Sequence, residues 1–165
     1  MKTFDKALGL ITEKMAWVAQ WAMVGCMAFV VADVIKRSVT GIPVPGVVEV
    51  VELIAAVILS MGIGYLTFVR GHVAVDVLVM RLPPRRQAMF DLVNGVISLL
   101  LTILLTNGMA KLGILYRTSN WSTYSLFIPI FPFVYVVTAA SALTCVVLIR
   151  DVVKAVIMLK AGGAA

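Results

Sequence analysis

Four stretches of this chain each hold enough consecutive apolar residues to cross a lipid bilayer. They run roughly from Met15 to Ile35, Val47 to Val69, Ala88 to Ala110 and Leu126 to Ile149. A helix needs about 20 residues to span a hydrocarbon core about 30 Å thick. Backbone polar groups in hydrocarbon must bond within their own segment, so each run is expected to be helical. Composition closes off the soluble alternative. Of 165 residues, 62% are apolar and only 13% charged, against about 25% charged in a typical water-soluble domain. A chain this small cannot bury that much apolar surface in a core of its own, and the excess must face lipid. The expected fold is an all-α integral membrane protein with four transmembrane helices.

Gly41, Pro43, Pro45 and Gly46 separate the first two runs, and Gly71, Pro83 and Pro84 the second pair. Pro129 and Pro132 fall in the opening turns of the fourth run, where a missing N–H is tolerated. The membrane domain is thus read as residues 15–150, between a leader of residues 1–14 and a tail of residues 151–165. In the leader, Phe4, Leu8, Ile11 and Met15 recur at helical spacing among charged residues. That pattern suits an amphipathic helix lying along the membrane surface, and a polar tail is the plainer alternative. No cleavage site follows the first run, so it reads as a permanent anchor rather than a removed signal.

The net charge of +6 is spread between the apolar runs rather than gathered in a patch. It reads as a topology signal, not as a nucleic-acid surface. Ten Lys and Arg lie in the leader, the middle loop and the tail, against four (Lys36, Arg37, Lys111 and Arg117) on the other side. The excess is retained inside, which places both termini and the middle loop in the cytoplasm. Trp121, Tyr116 and Tyr124 suit an aromatic belt at the outer surface.

A carrier needs ionisable groups or broken helices near the bilayer midplane. Here every charge lies within about two turns of an interface, which avoids an insertion cost of about 3 kcal/mol per charge. His72 is the single histidine, too few for a bis-histidine haem, and Cys26 and Cys145 lie inside apolar runs. No catalytic residue, cofactor site or metal site is expected, and the chain does not read as an enzyme.

Packing surface is where the helices are distinctive. Glu52, Ala56, Ser60 and Gly64 recur every fourth residue on helix two, and small residues at that spacing let helices approach closely. Asn94, Ser98, Thr102 and Thr106 form a polar stripe on helix three. Each stripe either holds the four helices together or docks a second membrane protein. In the loop after helix two, His72 and Asp76 stand one turn apart if a helix resumes there. They suit an interfacial turn, and a proton-carrying pair is the alternative.

Several segments carry a family resemblance. Helix one ends in Arg37-Ser38-Val39-Thr40-Gly41-Ile42-Pro43-Val44-Pro45, followed by Glu49 and Glu52. Helix two ends in Arg70-Gly71-His72-Val73-Ala74-Val75-Asp76, with Arg81-Leu82-Pro83-Pro84-Arg85 beyond it. Thr123-Tyr124-Ser125-Leu126-Phe127-Ile128-Pro129 precedes helix four. This order resembles the small membrane subunit of tripartite ATP-independent periplasmic (TRAP) transporters, the DctQ-like family. Ser38 and Gly46 stand where that family often has aromatic residues. The resemblance implies two partners: a large elevator-type membrane subunit holding the substrate and sodium sites, and a periplasmic binding protein that delivers a substrate, often a carboxylate. It implies an accessory, scaffolding role for this chain in sodium-coupled symport.

Two other classes stay open. A small ion-coupled carrier working as a homodimer would need an acid deep in helix one, and Met15 to Ala32 holds none. A membrane anchor for a respiratory enzyme would normally bring histidines for haem.

Overall fold

The structure is a computed structural model that describes residues 2–69 and 84–161. Four helices account for nearly all of them: α1 (Lys2–Thr40), α2 (Val47–Phe68), α3 (Pro84–Thr118) and α4 (Phe131–Ala161). Each contains a segment long and apolar enough to cross a membrane, namely Asp5–Thr40, Val47–Phe68, Met89–Thr118 and Phe131–Ile157. The chain is therefore an all-α, multi-pass membrane protein.

The helices pack in a row. α1 lies along α2, α2 along α4, and α4 along α3. α4 is flanked on both sides and supplies much of the core: Val134, Ala140, Thr144, Val147 and Leu148 are buried, with Val147 fully so. α3 sits at one edge, and none of its most apolar 18-residue window is buried within the chain. Such exposure is stable only where lipid or another membrane protein replaces water.

The bounds of α1, α3 and α4 differ from the apolar runs read in the sequence. α1 begins at Lys2, and no break separates a leader from the first span. At about 1.5 Å per residue, its 39 residues reach about 58 Å. Leu8, Thr12, Ala16 and Ala19 form a buried line along one face, and an ideal Cβ at Gly9 would lie 3.0 Å from the Phe68 ring of α2. Residues 5–19 are thus the most tightly packed part of α1. α3 extends beyond its apolar run at both ends. α4 begins at Phe131, five residues after the start of the fourth apolar run. Leu126 to Ile130 belong instead to a folded loop, where Ser122 pairs with Pro129 in an isolated antiparallel bridge. Hydrophobic content marks burial or lipid contact in either conformation, so it cannot tell a capping loop from a first helical turn.

Candidate functional site

Two carboxylates organise the end of the molecule where the α1–α2 and α3–α4 loops meet. Asp33, the one buried charged residue among the described residues, accepts the Val44 N–H at 2.7 Å and lies 3.8 Å from the Arg37 guanidinium one turn on. It thereby folds the α1–α2 loop back onto the helix it leaves. Glu49, in the first turn of α2, accepts the N–H of Ser125 at 2.7 Å and of Leu126 at 3.3 Å. Carboxylate-to-amide bonds are among the stronger hydrogen bonds in proteins, and these two fix the α3–α4 loop over the start of α2. Gly46 makes the fit possible. Its φ is +79°, and an ideal Cβ there would meet the Leu126 side chain at 2.4 Å.

The α3–α4 loop is also closed on itself. Thr123 and Ile128 exchange two bonds: the Thr123 N–H donates to the Ile128 carbonyl, and the Ile128 N–H to the Thr123 hydroxyl, both at 2.9 Å. Trp121 stacks on Tyr116 with ring centroids 5.6 Å apart. Phe127 is held at φ 53°, a conformation uncommon for a bulky residue. The result is a braced loop without charged residues that presents Tyr124 and Phe127 outward, 96% and 76% exposed.

The opposite end is joined by side-chain charges. Asp5 of α1 pairs with Arg150 of α4 and, at 3.0 Å, with Lys154. Arg150 also reaches Asp151 at 3.4 Å and lies 4.6 Å from the centroid of the Phe68 ring, a cation–π contact with α2. One arginine thus touches elements from three helices.

Between the ends, α2 and α3 flank α4 without packing along each other, and a trough of about 340 Å³ opens over α4. Residues of the polar stripe on α3 line it, together with Thr67 of α2 and Thr144 of α4.

With this geometry in place, residues 26–157 match the family described as "Tripartite ATP-independent periplasmic transporters, DctQ component". The chain belongs to the DctQ family. It is thus of a transporter-component family rather than an enzyme family, as the sequence resemblance implied. No curated protein and no solved structure matches it. The DctQ match takes in the whole loop-end framework and the basic half of the opposite cluster, Arg150 and Lys154, while Asp5 lies outside it.

The residues singled out in the sequence separate into distinct places. Arg37 and Glu49 belong to the loop-end framework, and Pro43 and Pro129 are exposed in its two loops. The small-residue stripe of α2 divides. Gly64 is buried, with the Thr144 hydroxyl 3.2 Å from where a Cβ would stand, so it mediates packing inside the chain. Ser60 is half-buried, its hydroxyl donating to the Val57 carbonyl, whereas Glu52 and Ala56 are exposed. Arg70, Gly71, His72 and Asp76 lie outside the described residues. On α3, the Thr102 and Thr106 hydroxyls donate back to the Ser98 and Thr102 carbonyls. Among the described residues, no group of three His, Cys, Asp or Glu is placed to hold a metal ion.

Sequence reasoning missed two of these roles. Asp33 was visible only as a charge near a helix end, although its spacing of four from Arg37 is the signature of an intrahelical pair. Arg150 and Lys154 entered the count of basic residues as topology signals, and no local pattern announces that Asp5, 145 positions before Arg150, is their partner.

Proposed function

We propose that this chain is the small, accessory membrane subunit of a TRAP-type secondary transporter in a bacterial inner membrane. It assembles with a large elevator-type membrane subunit that holds the substrate and sodium sites. A periplasmic binding protein delivers the substrate, a carboxylate. The observation that carries this reading is the DctQ match over residues 26–157. The row of helices supports it, because an open row leaves a large subunit more helix surface than a closed bundle would. The distribution of basic residues supports a cytoplasmic position for both termini. The braced loop of residues 119–130 then stands at the periplasmic surface, where the binding protein docks.

Co-expression with an untagged large subunit tests the assembly. Purification through a tag on this chain is expected to recover the large subunit, and sodium-driven uptake in vesicles to need both membrane subunits and the binding protein. Uptake by this chain alone, or no recovery of the large subunit, would overturn the reading. Orientation is tested separately in a background lacking Cys26 and Cys145. A cysteine at Ile42 is expected to react with an impermeant reagent in intact cells, and one at Lys6 only after lysis. The reverse pattern inverts the topology.

A further inference from the structure

The two middle helices of the row, α2 and α4, are each packed on two sides, and each keeps one narrow stripe open. On α2 that stripe is Val48, Glu52, Ala56, Leu59, Ile63 and Leu66. Every other residue from Val47 to Phe68 is buried or half-buried. At about 100° of turn per residue the stripe covers about 80° of arc, in a line about 27 Å long. Its steps alternate between four residues and three. That alternation keeps a seam on one face for its whole length, and a second helix fills such a seam with knobs set into holes.

The four-residue line of the sequence, Glu52, Ala56, Ser60 and Gly64, behaves differently, because each step of four turns it by about 40°. Glu52 and Ala56 are exposed, Ser60 is half-buried and Gly64 is buried. That line therefore winds off the open face into the chain, and Leu59, Ile63 and Leu66 carry the open face onward.

Charge separates the two middle helices. On α4 the exposed residues from Pro132 to Ile149, among them Ala142 and Val146, carry no charge, and acyl chains complete such a surface as well as protein does. The α2 stripe carries a carboxylate. Glu49, one turn nearer the loop end, is held by two backbone N–H groups. Glu52 is exposed and has no hydrogen-bond or ion-pair partner among the described residues. It stands about 7.5 Å into the span that begins at Val47, inside the edge of a hydrocarbon core about 30 Å thick. Lipid tails offer it no hydrogen bond, and ionisable residues within spans are nearly always paired. One element serves both parts of the stripe: a helix with a cation beside Glu52 and an apolar face along Leu59, Ile63 and Leu66. Ala56, the smallest residue of the stripe, sets where the two backbones come closest, one turn deeper than the cation.

We infer that the open stripe of α2 receives one transmembrane helix of the large subunit, which presents a Lys or Arg level with Glu52, and that the open stripe of α4 faces lipid. The inference rests on the accessory-subunit reading above and names the helix face that serves it.

The test uses the full chain co-expressed with the large subunit. A photoreactive diazirine side chain is placed at Leu59, 65% exposed on the α2 stripe, or at Val146, 40% exposed on the α4 stripe. Crosslinks to the large subunit are expected from Leu59 and not from Val146. In parallel, Glu52→Lys is expected to cut recovery of the large subunit at least tenfold with the amount of this chain in the membrane unchanged, while Val146→Trp leaves recovery intact. Should Glu52→Lys lower the amount of this chain itself, the Leu59 crosslink decides alone. Crosslinks from Leu59 only to lipid, or to a second copy of this chain, would overturn the inference, as would full recovery with Glu52→Lys. If the unaltered chain fails to recover the large subunit, the accessory-subunit reading itself falls. If it succeeds but Leu59 does not crosslink, only the stripe is wrong.

Discussion

The two ends of the membrane domain are held by different chemistry. At the loop end, Asp33 and Glu49 each accept backbone N–H groups, so a side chain on a helix fixes the path of a loop. At the opposite end, Asp5, Arg150 and Lys154 join helix to helix through side-chain charges, beside the contact of Arg150 with the Phe68 ring. A carboxylate that caps amides specifies backbone geometry and belongs where shape must be kept. An ion pair between long side chains tolerates sliding and weakens with salt. The loop end is thus fixed through its backbone, and the end bearing Asp5 and Arg150 through side-chain charge laid over close helix packing.

Substitutions can break this contrast, and the largest effect is expected at Gly46. Gly46→Val places a branched side chain at positive φ and into Leu126, and the two penalties together cost about 3 kcal/mol. Thermal unfolding in detergent should show the loss, and Leu126→Ala should restore part of it by removing the clash but not the strain. Gly64→Leu comes next, at about 1–3 kcal/mol of overpacking against Thr144. Because that contact is internal, this chain itself should fall in abundance, rather than remaining in the membrane without its partner.

Arg150→Met is expected to cost about 1–2 kcal/mol, combining the ring contact with Phe68 and the loss of ion pairing. Glu49→Gln should loosen the loop without unfolding the helices. Trp121 emission, read with Trp17 and Trp21 replaced by Phe, should shift while helical content stays constant. Asp5→Asn should have the smallest effect, visible at low ionic strength and fading as salt rises. A salt-independent Asp5→Asn defect equal to that of Glu49→Gln would erase the distinction between the two ends.

Much of the fold is legible because hydrocarbon leaves the backbone few choices. A run of about 20 apolar residues must be a helix if it spans, and the four spans follow from that alone. The small residues of α2 also signal close packing, and Gly64 supplies it. The sequence misleads where hydrophobicity has two uses. Leu126 to Ile130 look like the first turn of a helix, yet Leu126 packs on Gly46 and its N–H goes to Glu49. The leader likewise looks separable, whereas Leu8, Thr12 and Ala16 are buried in the packing of α1.

The number of helices, their hydrophobic cores and the family were therefore determined by the sequence itself, because they depend on local composition and on short spaced motifs. The order of helices in the row, the trough over α4, and the pairing of Asp5 with Arg150 and of Glu49 with Ser125 were decided only by tertiary structure. Lipid-facing surface carries no periodic signal of which neighbour a helix will choose, since an acyl chain and another apolar helix solvate it almost equally well. The choice rests on a few polar contacts between residues far apart in the chain, which become neighbours only once the helices have packed.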